Sequence, residues 1–358
     1  MSGIFGKLGL ADTDRSFVNV IGQRAVYDAV QQVLGDHNAD LAVAMSVFVE
    51  QTTSDFKLRY KLPGGGRLQR RGGEAQSAAV KAYGSWDVAF PLEDFGATLA
   101  GDDITLAYMN MQELNRHLDT IMIQDRNTVR HEILKALLNN TQDTFIDRIH
   151  GSLSIEPLAN GDAVIYPPVL GSETGATEDH YLISGYAASA ISDTNNPYAT
   201  IEAELSEHFG MPSGGANIIS FINSAQRAKT EDLTDFVEVP DRWIRPGADT
   251  AVPSSLPAAV PGQIIGRVSG CWVSVWQWVP ANYIIALHLD APKPLIQRVD
   301  PADTGLPQGL TLVARDNEYP LQSSFYRHRF GLGVGNRLNG VIMELGTGGA
   351  YSIPSGYS

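Results

Sequence analysis

The chain has 358 residues, of which 43% are hydrophobic and 18% charged, a composition typical of a folded protein and not of a disordered one. Its net charge of −14 disfavours general nucleic-acid binding, because affinity for phosphates comes from Lys and Arg side chains. We expect neither a membrane span nor a secretory signal, because no apolar stretch is long enough and the first residues lack the required pattern. The one cysteine, Cys271, lies in an apolar run, which indicates a buried, unreactive thiol and a reducing compartment.

The first 54 residues are too few to form a core of their own. Apolar residues at helical spacing between positions 17 and 34 predict a helix. The polar run from Gly35 to Asn38 predicts a turn after this helix. Residues 41–49 fit either a strand or a helix.

Residues 55–91 have the pattern of a long β-hairpin. Charged and apolar residues alternate over 57–62, glycine-rich runs interrupt the pattern, and Trp86 and Val88 share one face of the return strand. Six basic residues and no acid lie between positions 57 and 71: Lys57, Arg59, Lys61, Arg67, Arg70 and Arg71. The rest of the chain then has 20 basic and 40 acidic residues, a net charge of −20. Because a lone two-stranded ribbon is marginal in water, we expect the hairpin to lie on another copy of the protein.

Residues 110–140, which lie inside the longest run without Gly or Pro, predict an amphipathic helix about 45 Å long. Its apolar stripe is interrupted by Asp125. Asn110 can cap the start, with Glu113 three residues later as in a capping box. Asn140 can end the helix in the left-handed conformation. A helix of this length needs a sheet or partner subunits beside it, so we name it the spine helix.

The sequence from 171 to 290 predicts a separate αβ unit. It contains helices over 198–209 and 224–236, the second capped by Ser224, and a buried strand over 217–223. Around Cys271, tryptophans alternate with small apolar residues, which is typical of a strand buried on both faces. Farther along, apolar residues at alternate positions between Ser324 and Leu345 predict a strand that returns to pack beside the spine helix.

No concentrated catalytic constellation is recognised. His117 and His131 lie on the spine helix about 21 Å apart, which is too far to share a zinc ion. The tripeptide from Asp303 to Gly305 matches the aspartic-protease motif but lies between prolines, in a predicted loop. Gly331, Gly333 and Gly335 indicate a bulged strand and not a dinucleotide site, since no helix follows them. We therefore predict no catalytic residue, cofactor or metal; the rival from another class is a hydrolase that uses Asp303.

The order of these parts resembles that of the major capsid protein of tailed bacteriophages, the HK-ninety-seven type. The resemblance covers nearly the whole chain. Its most suggestive local segments are Tyr326–Gly340, which is similar to the closing strand of such proteins, and Leu158–Asp162, which follows the spine helix.

This resemblance implies an α+β capsid fold. Its parts would be an N-arm over 1–54, an E-loop over 55–91, a P-domain over 92–170 with the spine helix, an A-domain over 171–290, and P-domain return strands with the C-terminus over 291–358. It implies that the six basic residues contact neighbouring subunits and that the A-domain meets its copies around capsomer axes. Covalent crosslinking through Lys57, Lys61 or Lys81 is not expected, because the carboxylate that such a reaction requires cannot be assigned.

The implied function is structural: self-assembly as pentamers and hexamers into an icosahedral head around double-stranded DNA, without sequence-specific binding. The protein would belong to the virion and assemble in the cytoplasm of a bacterial host. Its partners would be other copies of itself, a portal protein, a separate scaffolding protein and, where the head carries them, decoration proteins. The alternative within the same fold is an encapsulin-like compartment that holds a cargo enzyme.

Overall fold

The computed structural model describes residues 23–62, 85–100, 108–170, 174–209, 217–239, 260–314 and 323–358, with Ile21 and Ser172. The chain divides into two compact units. The first comprises the described parts of 1–46, 91–132 and 298–331, and the second those of 47–90, 133–297 and 332–358.

The helices are α1 (Gln23–Met45), α2 (Met111–Leu138), α3 (Pro197–Phe209) and α4 (Arg227–Glu231). The strands in the first half are β1 (Val49–Thr53), β2 (Lys57–Lys61), β3 (Ser85–Ala89), β4 (Glu93–Ala100), β5 (Asp143–Asp147), β6 (Gly151–Ile155) and β7 (Tyr181–Ile183). Those in the second half are β8 (Ile218–Ile222), β9 (Val237–Glu238), β10 (Gln263–Val268), β11 (Cys271–Val275), β12 (Tyr283–His288), β13 (Leu295–Arg298), β14 (Thr311–Ala314), β15 (Ser323–Val334) and β16 (Val341–Glu344).

In the first unit, α1 and the first turns of α2 pack on a sheet in which β15 pairs antiparallel with both β4 and β14. The alternation predicted for β15 is confirmed, because Tyr326, His328 and Phe330 are all buried. His328 reaches Asp125 on α2, so the predicted packing of this strand beside the spine helix is also confirmed.

The turn predicted at Gly35–Asn38 is wrong, because α1 runs through it without a break. The reason is tertiary. His37 is 1% exposed and its Nε2 lies 2.8 Å from an Asp125 carboxylate oxygen. Asn38 binds the backbone of Leu310 twice, accepting from its N–H at 2.9 Å and donating to its carbonyl at 3.1 Å. These bonds offset the roughly 0.5–1 kcal/mol that Gly35 costs inside a helix.

The spine helix is confirmed as α2, two residues shorter at its C-terminus than predicted. The Asn110 side chain accepts a hydrogen bond from the Glu113 N–H at 2.8 Å, as the predicted cap requires. The predicted left-handed end at Asn140 is wrong, because the described non-glycine residues with positive φ are Ser269 and Asn282. Asn139 ends the helix instead: its side chain accepts from the Thr141 N–H at 2.9 Å.

The second unit contains a seven-stranded mixed sheet in the order β7-β16-β12-β8-β11-β10-β9. The predicted strand over 217–223 is confirmed as β8, in which every residue is buried. The helix predicted over 198–209 is confirmed as α3, whose buried Tyr198, Ile201 and Leu205 belong to the core beside this sheet.

Two predictions in this unit need correction. The helix predicted over 224–236 is a 3-10 turn followed by the short α4, and its cap is Asn223, whose side chain accepts from the Ala225 N–H. The chain leaves the helix early because the nearby Val237–Glu238 pairs with β10. The tryptophan-rich strand ends at Val275, so Trp278 lies in the following turn.

The strand predicted from Ser324 to Leu345 is in fact two strands, β15 and β16, separated around Arg337. This guanidinium is 1% exposed and donates to the Pro157 carbonyl at 2.7 Å and to Asp162 at 2.8 Å. Asn339 donates to the carbonyls of His288 and Pro292. A regular strand would not direct these donors to buried acceptors, and an unpaired buried charge is costly.

The predictions of a loop at Asp303 and of a buried thiol are confirmed. Gly331 and Gly333 lie in the strand β15, and the bulge there stays a prediction. Asp303 lies in a short 3-10 turn that ends at the left-handed Gly305. A Cβ atom on Gly331 would lie 2.0 Å from the Pro91 carbonyl oxygen, so glycine is required there for close backbone approach. Burial raises the pKa of the Cys271 thiol to about 12. Within the described ranges, no helix is both long and apolar enough to cross a bilayer.

Candidate assembly surface

The described stem of the predicted E-loop is the antiparallel ribbon of β2 and β3, in which Arg59 pairs with Asp87 and Tyr60 with Trp86. One face is apolar. Trp86 and Val88 are buried in a core that also contains Tyr166, and the indole N–H of Trp86 donates to the Gly335 carbonyl at 2.9 Å. The apolar face of this stem therefore packs within its own chain, and the expected contact of the hairpin with another copy stays a prediction.

The other face of this ribbon carries the predicted cations. Lys57, Arg59 and Lys61 are exposed. The Asp87 carboxylate lies between two of them, 2.8 Å from Arg59 Nε and 3.3 Å from Lys57 Nζ. Hydrogen bonds from Arg59 and Lys57 lower the pKa of Asp87 to about 2, and the Asp87 partner raises the pKa of Arg59.

The described part of this surface is therefore less basic than the sequence suggested. The acidic residue of this surface, Asp87, lies on the return strand β3. The count of charges between positions 57 and 71 does not include it. Lys61 has no acidic partner within 4.0 Å among the described residues. The predicted contacts of Arg67, Arg70 and Arg71, and the lysine at Lys81, lie outside the residues that the structure describes.

A second ribbon, β5 and β6, exposes large apolar side chains. Ile146 is 79% exposed and Ile149 is 84% exposed. The turn between the strands is fixed, because the Asp147 carboxylate accepts from the N–H groups of Ile149 and His150 at 2.8 and 2.9 Å. The His150 ring also stacks on Phe56, with centroids 3.8 Å apart. Apolar side chains held in water by a fixed turn are typical of a surface that a partner covers.

No motif in the sequence singles out this second ribbon. The exposure of Ile146 and Ile149 depends on which face of the ribbon packs on the rest of the unit. The signal that was available is modest: two isoleucines within four positions in a segment otherwise rich in polar residues.

The fold is α+β, which confirms the fold class predicted from the sequence, and it is shared with a solved phage structure. The chain is similar in structure to a chain of Mycobacterium phage Patience, with 18% identity, a TM-score of 0.66, and coverage of 93% of this chain and 92% of that chain.

Two further solved structures match with lower TM-scores. One is the capsid structure of the cyanophage P-SCSP1u, with 9% identity, a TM-score of 0.48, and coverage of 83% and 86% of the two chains. The other is the mature capsid of bacteriophage PhiM1, with 10% identity, a TM-score of 0.48, and coverage of 82% and 85%. At such identities the likeness concerns the fold. No protein-family model matches the sequence, and neither does any curated protein.

Proposed function

We propose that this chain is the major capsid protein of a tailed bacteriophage and that its function is structural. It self-assembles as pentamers and hexamers into an icosahedral head that encloses double-stranded DNA. The observation that carries the proposal is the similarity in fold to the Mycobacterium phage Patience chain, which extends over nearly the full length of both chains.

The surface of the chain supports assembly with further copies. The β2–β3 ribbon exposes its charged groups, while its apolar face packs within its own chain. The β5–β6 ribbon exposes two isoleucines to solvent. Each exposed ion pair contributes little, but symmetric repetition over many copies multiplies small contributions. The acidic remainder of the chain supplies a complementary surface for the basic residues of a neighbour and does not favour DNA binding.

The proposed roles of the segments follow the capsid architecture. Residues 1–54 serve as the N-arm and 55–91 as the E-loop that reaches a neighbouring subunit. Residues 92–170 and 291–358 form the P-domain, and 171–290 form the A-domain around the capsomer axis. The partners are other copies of the chain, a portal protein, a separate scaffolding protein and decoration proteins, and assembly takes place in the bacterial cytoplasm.

The test is negative-stain electron microscopy of the purified protein, together with sedimentation over a range of protein and salt concentrations. Closed shells or capsomer rings are expected. A monomer under every condition, also with the scaffolding protein present, contradicts the proposal. Particles isolated from infected cells separate the two functions of this fold: packaged DNA supports the phage head, whereas an enclosed enzyme supports the compartment alternative.

The basic residues are tested by reversing their charge. The combined variant Arg67→Glu, Arg70→Glu and Arg71→Glu, and separately Lys61→Glu, are expected to shift assembly to higher protein concentration, because like charges then face the acidic neighbour. Raised salt should likewise shift assembly of the wild type to higher protein concentration, because the Debye length falls from about 10 Å at 0.1 M to about 3 Å at 1 M.

The matched controls keep the charge: Arg67→Lys with Arg70→Lys and Arg71→Lys, and Lys61→Arg. These should assemble like the wild type. If charge-reversed and charge-conserving variants assemble at the same concentration, the proposed role of the basic residues is wrong, while the capsid function itself is judged by microscopy.

A further inference from the structure

Two histidines and two glutamates converge in the second unit where α3 ends and β7 begins. We call Glu178, His180, Glu207 and His208 the Glu-His cluster. One coordinating atom from each of Glu178, Glu207 and His208 lies within 4.8 Å of those of the other two. His180 is fully buried, and its Nε2 lies 3.3 Å from the Nε2 of His208, whose side chain is 3% exposed.

The hydrogen bonds of His180 fix which of its nitrogens carries the proton. Its Nδ1 lies 2.8 Å from the Gly340 carbonyl oxygen. A carbonyl can only accept, so Nδ1 donates and Nε2 presents a lone pair toward His208. An imidazole that donates one N–H to a backbone carbonyl while the other nitrogen faces a cluster of donors is the usual arrangement of a metal-binding histidine.

Two neutral imidazole nitrogens at this distance are joined either by a shared proton, in an N–H···N hydrogen bond from His208 to His180, or by a metal ion between them. Tetrahedral zinc binds nitrogen at about 2.0–2.1 Å, which places two nitrogen ligands roughly 3.3 Å apart. The separation of His180 and His208 equals that value. The nearer Glu207 oxygen lies 3.7 Å from the same His208 nitrogen, within reach of a common ion.

The backbone around the cluster is fixed by hydrogen bonds from three directions. The Gly161 N–H donates to the Glu178 carbonyl at 2.9 Å, and the Leu170 N–H to the Glu207 carbonyl at 2.8 Å. His180 donates its own N–H to the Ala159 carbonyl at 2.8 Å. The ligand atoms are therefore presented by fixed segments, as a metal site requires.

The electrostatics of the cluster also favour a bound cation. Burial lowers the pKa of His180 to about 3, with the nearby His208 adding to the effect, and burial lowers that of His208 to about 4. Burial and the charge of Glu207 raise the pKa of Glu178, and burial with the neighbouring acids raises that of Glu204 to about 7. Glu207 and His208 lie in the last turn of α3, where the helix dipole attracts positive charge.

We propose that the Glu-His cluster binds a divalent transition-metal ion of the zinc class. One imidazole and two carboxylates, with the second imidazole of His180 against His208, suit zinc better than the hard cations magnesium and calcium, which prefer oxygen ligands alone. The ion ties the end of α3 to the start of β7 inside the αβ unit. This proposal concerns the single chain and does not depend on whether the chain builds a shell.

The test uses the purified full-length protein, stripped with a chelator, passed through gel filtration and then titrated with zinc chloride alone. One retained zinc per chain and a higher melting temperature are expected. Cobalt(II) in place of zinc should give the visible absorption of a tetrahedral site. A shared proton between the two histidines predicts neither effect, so a wild-type protein that takes up no zinc overturns the proposal.

The variants Glu207→Gln and His208→Asn should weaken zinc binding at least tenfold. The matched control is Glu202→Gln, a partly exposed glutamate on the same helix outside the cluster. If Glu207→Gln and Glu202→Gln bind zinc equally well, the assignment of the ligands is wrong. Because the amide keeps the shape of the carboxylate, the stripped variants should retain the stripped wild type's melting temperature and far-ultraviolet circular dichroism.

Discussion

Asp125 and Asp87 each sit between two positively polarised partners, but in opposite surroundings. Asp125 is 7% exposed and accepts from His37 at 2.8 Å and His328 at 2.6 Å, so one carboxylate joins α1, α2 and β15 inside the first unit. Asp87 lies on the exposed face of the β2–β3 ribbon between Lys57 and Arg59. Water competes for the partners of Asp87 and is excluded from those of Asp125. The same kind of pairing therefore joins three elements of the fold in one place and pairs cations on an exposed face in the other.

The largest expected change in the free energy of unfolding comes from removing the buried carboxylate of Asp125. Asp125→Ala leaves two buried imidazole N–H groups without acceptors, and breaking a buried polar pair on one side costs about 3–5 kcal/mol. Urea unfolding of the dissociated chain measures this loss. Asp119→Ala, on the exposed side of the same helix, is the control and should stay within about 0.5 kcal/mol of the wild type. If Asp125→Ala lowers the free energy of unfolding by less than about 0.5 kcal/mol, burial does not distinguish Asp125 from an exposed carboxylate.

A smaller change in the free energy of unfolding is expected when the pH is lowered and Asp125 becomes protonated. Burial alone would raise the pKa of Asp125, but the hydrogen bonds from His328 and His37 outweigh it and lower the pKa. A lowered folded pKa means that the contribution of the carboxylate is complete above its unfolded pKa of about 3.9 and is lost as the pH falls through the folded value. The difference in unfolding free energy between wild type and Asp125→Ala should therefore narrow as the pH falls below about 4. A constant difference over this range would contradict the assignment.

The smallest effect on stability is expected at the exposed carboxylate. Asp87→Asn should leave the urea midpoint of the dissociated chain unchanged, because solvent screens the pairs with Lys57 and Arg59. Its consequence should appear in assembly instead. Freed of their local partner, the two cations become available to an acidic neighbour, and the salt dependence of assembly should steepen. An unfolding midpoint lowered as far as that of Asp125→Ala would remove the distinction between the two sites.

The sequence identified the spine helix and the buried strand β8 because their patterns are local. The interruption at Asp125 was visible as a polar position in an apolar stripe, but the two histidines that explain it lie 88 and 203 positions away. For the same reason the polar run at Gly35–Asn38 resembled a turn: the contacts that keep it helical involve residues distant in sequence. The structure differs from the local secondary-structure propensity where a buried polar group bonds to a residue distant in sequence.

The candidate surfaces divide in a similar way. The alternation along β2 determined which residues of the ribbon share a face, and Lys57, Arg59 and Lys61 are exposed together as expected. The pairing that places Asp87 against Arg59 depends on strand register, which no residue count over one strand contains. The Glu-His cluster depends on two segments that meet only in the folded unit.

By itself, the sequence determined the class of fold, the extent of α2 and α3, and the buried character of β8 and β11, because periodicity and burial are encoded residue by residue. The tertiary structure decided which polar groups meet. It made α1 continuous, divided the last long strand around Arg337, and brought His180 to His208. The physical reason is that a buried donor or acceptor must be satisfied, and its partner is chosen by the fold and not by distance along the chain.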